Sequence, residues 1–255
     1  MQETSAPVYR VSAVSYTNSI PFVYGLKNSP VSNKIELSLD IPSQCAQKLI
    51  DGKADIGLVP VAVMPQIPNA KIISNYCIGA VGKVNTVMLL SHVPLEQIKQ
   101  VWLDFQSRTS VALVKVLFRE LWKSKPDFLQ ATAGYEAQIQ GDTAGVVIGD
   151  RCFELNKKFA YQYDLSEAWK QLTALPFVFA CWVANKEIEP DFVKEFNFAL
   201  EKGLENKQAA ITELLNSEIE MDIAENYLNN VISYPFDNLK QEALNLFLEK
   251  LKANG

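Results

Sequence analysis

Histidine and closely spaced cysteines are scarce in this sequence. Its one histidine is His92, and its four cysteines, Cys45, Cys77, Cys152 and Cys181, form no C-x-x-C pair. Such a set is poor for zinc, which takes His and Cys ligands at short, regular spacings. We therefore expect no metal site and place His92 in a surface turn. Scattered free thiols are typical of a reducing compartment, so the predicted location is cytoplasmic.

Long uncharged apolar runs are also absent. None approaches the roughly 20 residues that a membrane-spanning helix needs, and residues 1–7 lack the basic and apolar regions of a secretory signal. The net charge of −5 argues against nucleic acid as the main partner. No linker rich in proline, glycine or serine divides the chain. We expect a globular protein whose partner is a small molecule, with no membrane and no nucleic acid.

Strand and helix patterns alternate along the chain, whose 255 residues suffice for one large domain or two lobes. The predicted strands are Val8–Val14, Ile35–Leu39, 55–59, Val84–Leu90, 101–103, 145–148 and 175–184. The predicted helices are Ser19–Gly25, Pro42–Ile50, Thr109–Trp122 and an amphipathic helical region from Pro190 to the end. This alternation predicts an α/β fold with a mainly parallel sheet and helices on both faces.

The two longest predicted strands suggest how the chain divides. Val84–Leu90 and 177–184 fall where crossings between two lobes are expected. Lobe 1 is then discontinuous, with residues 1–88 and 180–255, and lobe 2 consists of residues 89–179. We expect the ligand to bind in a cleft between them.

Two helix starts carry small hydroxyl and amide side chains, at residues 14–21 and 103–110. Each follows a predicted strand. A helix N-terminus presents unpaired N–H groups and the positive end of a dipole, so it favours carboxylate or phosphate. The plain alternative at each start is helix capping. One start in each half of the chain favours a small anion bound from both sides.

Six sequence runs, in order, resemble the chorismate dehydratase family of the futalosine route to menaquinone. They lie at residues 14–22, 55–61, 84–91, 103–111, 147–150 and 163–165 with 175–182, and the resemblance covers roughly residues 8–184. The most specific are the Ser-x-Thr-Ser helix start at 107–110 and the Leu-Pro-Phe-Val-Phe-Ala-x-Trp run at 175–182.

The resemblance implies a two-lobed periplasmic-binding-protein-like (type II) fold used as a cytosolic enzyme. We expect a monomer or homodimer. The implied reaction is a hydro-lyase reaction that converts chorismate to 3-[(1-carboxyvinyl)oxy]benzoate without metal or organic cofactor. This chain has Thr86 where the family usually has Ser, which keeps the hydroxyl but adds a methyl group. A sister family acting on cyclic dehypoxanthine futalosine has a catalytic His where Gly149 stands here, which argues against that activity. The competing class is a solute-binding protein for a small anion.

The expected roles follow from the resemblance. Ser107, Thr109 and Ser110 would hold one substrate carboxylate, and Asn18 and Thr86 would address the other carboxylate or the departing hydroxyl. The remaining predicted binding residues are Ser15, Tyr16, Asn85, Arg108, Gly149 and Asp150.

No evident general base exists in the sequence. The expected catalytic residues are Asn18, Thr86 and Asp150, and the base is either a substrate carboxylate, which we favour, or a side chain. Asp150 follows a strand end where doubly wound sheets place ligands, but it could equally cap a helix or pair with Arg151. Asp104 has a similar position and could cap the turn after it.

Overall fold

The structure, a computed structural model, describes residues 8–252. Eleven strands are found in this range: β1 Tyr9–Val14, β2 Ile35–Asp40, β3 Ile56–Pro60, β4 Lys71–Ala80, β5 Val87–Ser91, β6 Gln100–Leu103, β7 Asp127–Gln130, β8 Thr143–Ile148, β9 Tyr161–Asp164, β10 Phe177–Ala184 and β11 Ile232–Pro235. The α-helices in the same range are α1 Ile20–Lys27, α2 Pro42–Ile50, α3 Arg108–Glu120, α4 Cys152–Leu155, α5 Leu165–Thr173, α6 Pro190–Glu205, α7 Lys207–Leu214, α8 Met221–Asn226 and α9 Asn238–Lys252.

The strands form two sheets, with the orders β11-β4-β10-β3-β1-β2 and β7-β6-β8-β5-β9. β1 is parallel to β2 and β3, and β6 is parallel to β7 and β8. β5 runs antiparallel to both β8 and β9, an exception within the mainly parallel pairing that the sequence predicts. An unbroken apolar run indicates a strand that is buried on both faces of its sheet. It does not show whether the strand runs parallel or antiparallel to its neighbours.

The described chain divides into two compact units. Unit 1 contains residues 8–59, 63–76 and 181–228, and unit 2 contains residues 60–62, 77–180 and 229–252. Apart from the short segment 60–62, the chain passes from unit 1 to unit 2 at Tyr76/Cys77 inside β4, a strand that the sequence did not predict. It returns to unit 1 at Ala180/Cys181 inside β10. The predicted lobe boundaries stay a prediction.

Residues 229–252 belong to unit 2, and aromatic contacts join α9 to the rest of that unit. The Phe247 ring of α9 lies 5.0 Å from that of Phe177 and 5.8 Å from that of Trp169, both edge-on. Phe179 packs edge-on against Phe177 at 4.8 Å. Both phenylalanines are buried in the core of unit 2.

The core of unit 1 depends on a close approach of α1 and α6. A Cβ atom at Gly25 would lie 2.0 Å from the Ala199 carbonyl oxygen, and one at Gly203 would lie 1.8 Å from that of Pro21. Only glycine permits this separation of the two helices. Beside the contact, the buried Trp182 packs edge-on against Phe22, so this aromatic also belongs to the core.

The helical region predicted from Pro190 to the end is interrupted. A π-helical turn at Tyr227–Val231 leads into β11, which the sequence did not reveal. The strands β7 and β9 were also missed. Each has only four residues, a length at which side-chain alternation carries little signal.

All four cysteines are buried and none forms a disulfide. Burial raises the pKa of the Cys45 and Cys77 thiols to about 12, so both stay protonated near neutral pH. No helix of residues 8–252 is both long and apolar enough to cross a membrane. The predicted lack of a secretory signal concerns residues 1–7, which lie outside the described residues.

Candidate functional site

Three chain segments of unit 2 meet at one edge of the five-stranded sheet. β6 and β8 are parallel, so their carboxyl ends share this edge. β5 is antiparallel to β8, with Val87 opposite Ile148, so its amino end lies there too. The edge therefore collects predicted site residues from three segments, 85–86, 107–110 and 149–150. A direct bond joins two of them, since the Gly149 amide donates to the Thr86 carbonyl at 2.9 Å.

The start of α3 is built around two serine hydroxyls. Ser107 is the N-cap, and its Oγ accepts the Ser110 backbone amide at 3.2 Å. The two Oγ atoms also lie 3.0 Å apart in a hydrogen bond. One hydroxyl proton is used in that bond, and the pair retains a second proton that it can donate. The predicted capping role of Ser107 is thus observed, and it is compatible with donation to an anion at the positive end of the helix dipole.

Thr109 is fixed by a contact from another segment. Its Oγ1 accepts the backbone amide of Ala62, in the 3₁₀ turn after β3, at 3.2 Å. Thr109 and Ser110 are almost fully buried. A hydroxyl that accepts one bond still has its own proton to donate. The first turn of α3 therefore carries donors that are held in place by backbone contacts.

The turn at residues 84–86 is held by a carboxylate that the sequence did not single out. Asp164 Oδ2 accepts the amides of Val84 and Asn85 at 2.8 and 2.7 Å. Its Oδ1 accepts those of Ser166 and Glu167, so the same side chain caps α5. Burial raises the pKa of Asp164, against the opposing effect of these four amides. The exposed Asn85 is held in a left-handed conformation with φ of 62° beside the buried Thr86.

A second buried carboxylate, Asp104, organises the loop before α3. Its side chain is 0% exposed. Oδ1 accepts the Gln106 amide at 2.7 Å, while Oδ2 accepts the Tyr135 hydroxyl at 2.9 Å and pairs with Arg151. Asp104 thus caps its own turn, as one of the two predicted alternatives had it.

Arg151 follows the Gly149-Asp150 turn and binds two carboxylates. Its Nη2 pairs with Asp104 and its Nη1 with Glu136. Burial alone would lower the pKa of the guanidinium, but the neighbouring Asp104 charge raises it above its usual value. The pKa of Tyr135 is raised by burial and by Asp104. Both groups therefore keep their protons throughout the neutral range. Asp150 itself is half-buried at the end of β8.

The other predicted helix start, in unit 1, differs from the expected cap. A 3₁₀ turn at Thr17–Ser19 precedes α1, and Ser19 makes no side-chain bond to the helix amides. Its hydroxyl lies within hydrogen-bonding distance of the Val14 and Tyr16 carbonyls, and so donates its proton within the turn. Ser15 is exposed, and Tyr16 and Asn18 are half-buried. The prediction that both starts bind one anion stays a prediction.

A surface cavity of about 760 Å³ opens beside the start of α3 in unit 2. Arg108, Lys115 and Arg119 line it from α3, together with Phe105 and Phe128. The Lys115 ammonium lies 5.5 Å from the centre of the Phe128 ring. This basic and aromatic lining, in a chain of net charge −5, favours a flat anion over a cation.

Within residues 8–252 no three His, Cys, Asp or Glu side chains are grouped to hold a metal ion. His92 is exposed after β5 and packs on Phe159 at 4.8 Å between ring centres. That position fits the predicted surface turn.

Comparisons with known proteins point to one biosynthetic family. A family model described as menaquinone biosynthesis matches residues 9–253. The chain is 26% identical over 232 residues to chorismate dehydratase from Thermus thermophilus, covering 83% of this chain and 84% of that protein. It is 26% identical over 234 residues to chorismate dehydratase from Campylobacter jejuni, covering 80% of this chain and 98% of that protein.

Solved structures share the fold at low identity. A protein from Archaeoglobus fulgidus has a TM-score of 0.77 and 12% identity, with 97% of each chain covered. A Candida albicans protein, described as exhibiting the generic periplasmic binding protein fold, has a TM-score of 0.64 and 12% identity, with 97% of this chain and 90% of that chain covered.

Proposed function

The chain belongs to the menaquinone-biosynthesis family and has the periplasmic-binding-protein fold, and we propose that it is a chorismate dehydratase. The proposed reaction is a hydro-lyase reaction that releases water from chorismate and gives 3-[(1-carboxyvinyl)oxy]benzoate. Its support is the family match together with two relatives that carry that name. A cytoplasmic location and a monomeric or homodimeric state stay predictions.

The elimination requires no covalent bond between protein and substrate. A proton leaves the ring carbon that bears the enol ether, and hydroxide leaves the adjacent ring carbon. The two combine as water, and the ring becomes aromatic. Because the proton is in vinylogous relation to the ring carboxylate, its removal sends negative charge to that carboxylate. Fixed hydrogen-bond donors placed there would lower the barrier, typically by several kcal/mol.

The first turn of α3 is the part of the site that supports this chemistry best. The Ser107–Ser110 pair retains a hydroxyl proton, and the helix dipole adds positive potential at the same place. We assign the ring carboxylate to this turn, with Thr109 and Arg108 beside it. Asn85, Thr86, Gly149 and Asp150 share the sheet edge and would contact the ring or its hydroxyl. The predicted roles of Ser15, Tyr16 and Asn18, which belong to unit 1, stay predictions.

The general base in this proposal is a carboxylate of the substrate. Of the two protein carboxylates first considered, Asp104 is fully occupied by Gln106, Tyr135 and Arg151. Asp150 is half-buried and stays the side-chain alternative. The protein then contributes orientation and a set of fixed donors. The reaction is already downhill, so these effects need only lower its activation barrier.

A direct assay tests the proposal. Purified protein is incubated with chorismate, and product formation is followed by absorbance and by mass spectrometry as loss of one water. The double variant Ser107→Ala/Ser110→Ala should lose turnover by about 100-fold, the usual effect of losing a fixed donor. Ser124→Ala, in the turn after α3, is the control and should retain full activity. A wild-type protein that binds chorismate without consuming it would instead support a solute-binding role, which at present rests on the fold alone.

A further inference from the structure

We infer that the Asp104–Arg151 pair is a positioning element that holds the start of α3 and the Gly149-Asp150 turn in fixed register. This inference rests on the proposed function, because it assigns those two segments to one substrate. Neither residue is assigned to the substrate itself. The pair acts through the loops that it joins.

The contacts span three segments of unit 2. Asp104 directly follows β6. Its carboxylate accepts a hydrogen bond from the amide of Gln106, the residue directly before the N-cap of α3. Arg151 comes directly after Gly149 and Asp150, so its guanidinium ties the end of β8 to the end of β6. Tyr135 and Glu136, from the 3₁₀ turn between β7 and β8, close the network from a third side.

Burial makes this pair sensitive to change. The Asp104 side chain is 0% exposed and that of Arg151 is 29% exposed. A carboxylate so deeply buried is poorly solvated, so removing Arg151 leaves the Asp104 charge without its cationic partner. By contrast, the Lys99–Asp142 pair of the same unit is 78% and 45% exposed, and it should be dispensable.

Charge and geometry make separable contributions. Asp104 and Glu136 together carry two negative charges, and Arg151 carries one positive charge. Removing the guanidinium would leave both carboxylates beside a site for a dianion and weaken its binding. Replacing it by lysine would keep the charge but lose the planar fork that bridges two carboxylates. The lysine variant should therefore bind substrate and turn it over slowly.

The experiment compares Arg151→Lys, Arg151→Gln and the control Lys99→Gln, each shown to be folded by circular dichroism and assayed well below its melting temperature. We expect kcat of Arg151→Lys to fall by about 100-fold with KM within about threefold of wild type. Arg151→Gln should lose kcat similarly and raise KM by about tenfold or more. Lys99→Gln should match wild type. Wild-type kcat in Arg151→Lys, or equal KM in both Arg151 variants, would overturn the inference.

Hydrogen exchange tests the same inference without requiring catalytic turnover. Backbone amides of residues 104–110 and 149–151 should exchange faster together in Arg151→Lys, and binding of benzoate should slow both segments in wild type. Faster exchange in only one segment would contradict the coupling. If wild type does not consume chorismate, the proposed function fails, but the hydrogen-exchange measurement still tests the positioning role of the pair. Should an Arg151 variant not fold, Tyr135→Phe tests the same coupling with a smaller loss, and an unchanged kcat would count against it.

Discussion

The backbone amide of Asn85 donates to the Asp164 carboxylate at 2.7 Å, and this bond holds Asn85 at a φ of 62°. The same carboxylate starts α5, so one buried side chain fixes both a turn of the candidate site and a helix. Left-handed residues other than glycine are costly unless their surroundings hold them. The conformation of the turn at residues 84–86 is therefore fixed by its contacts with Asp164.

Replacing Asp164 by alanine should destabilise the protein strongly. Four backbone amides would lose their acceptor, so we expect the free energy of unfolding to fall by about 2 to 4 kcal/mol. Urea unfolding measures this loss, which should appear as a lower midpoint urea concentration with an unchanged dependence of the unfolding free energy on urea. Asp127→Ala, at an exposed aspartate of the same unit, is the control. A loss below about 0.5 kcal/mol would show that water replaces the carboxylate.

A second prediction concerns Asp55 in unit 1, which binds Arg10 and Lys186. Burial opposes ionisation, but the hydrogen bonds from these cations prevail and lower the pKa of Asp55 to about 2. The unfolded value is about 3.9. The carboxylate therefore contributes stability fully above the unfolded pKa, and this contribution is lost as the pH falls through about 2. The contribution is about 2 kcal/mol at neutral pH.

Urea unfolding of wild type and Asp55→Asn at several pH values checks the sign. The difference in unfolding free energy should be largest at pH 6 and shrink steadily as the pH approaches 2. Asp51→Asn, whose partner Lys53 lies on the surface, should show a smaller difference. A difference that grows toward acid pH would exclude the assigned role of Asp55.

The contact of α1 with α6 gives a third prediction. Gly203→Ala would bring a Cβ atom to 1.8 Å from the Pro21 carbonyl oxygen, so the helices must separate. We expect a loss of about 3 kcal/mol, at the upper end of overpacking costs. Thermal unfolding measures it, with the exposed Lys194→Ala on the same helix as control. A melting temperature equal to that of the control would mean that the helices shift freely.

Local chemistry explains which parts of the fold were predictable. α2 was predicted with the bounds it has, because Pro42 favours a helix start and Gly52, at a φ of 67°, favours a helix end. The Ser107 cap was visible for the same reason, since it bonds only three residues along the chain. In contrast, β4 carries no regular alternation that separates it from a loop.

The remainder of the site depends on pairs that are distant in sequence. Asp104 and Arg151 are 47 residues apart and meet only because β6 lies beside β8. Asp164 reaches Val84 and Asn85 across about 80 residues, through the pairing of β9 with β5. No motif marks such pairs in one sequence. Strand order had to be known before either carboxylate could be given a role.

The methyl group of Thr86 can be separated from its hydroxyl by two substitutions. Thr86 is buried at the site edge, and its carbonyl already accepts the Gly149 amide. Thr86→Ser removes only the methyl and should keep kcat/KM for chorismate within about threefold of wild type. Thr86→Val keeps the shape and removes the hydroxyl, so kcat should fall by about 100-fold. Equal activity of the valine and serine variants would remove the hydroxyl from the mechanism.

The identity of the base is decided at Asp150. If a substrate carboxylate takes the proton, Asp150→Asn keeps the size of the side chain and should leave kcat within about threefold of wild type. If Asp150 is the base, the same change should lower kcat by about 100-fold or more, since general bases contribute factors of that order. Steady-state kinetics with chorismate, together with its dissociation constant for each variant, separate the two results. Asp142→Asn, at a half-buried aspartate of the same unit, controls for the loss of one negative charge. A large fall in kcat with unchanged chorismate affinity would transfer the role of base from the substrate to Asp150.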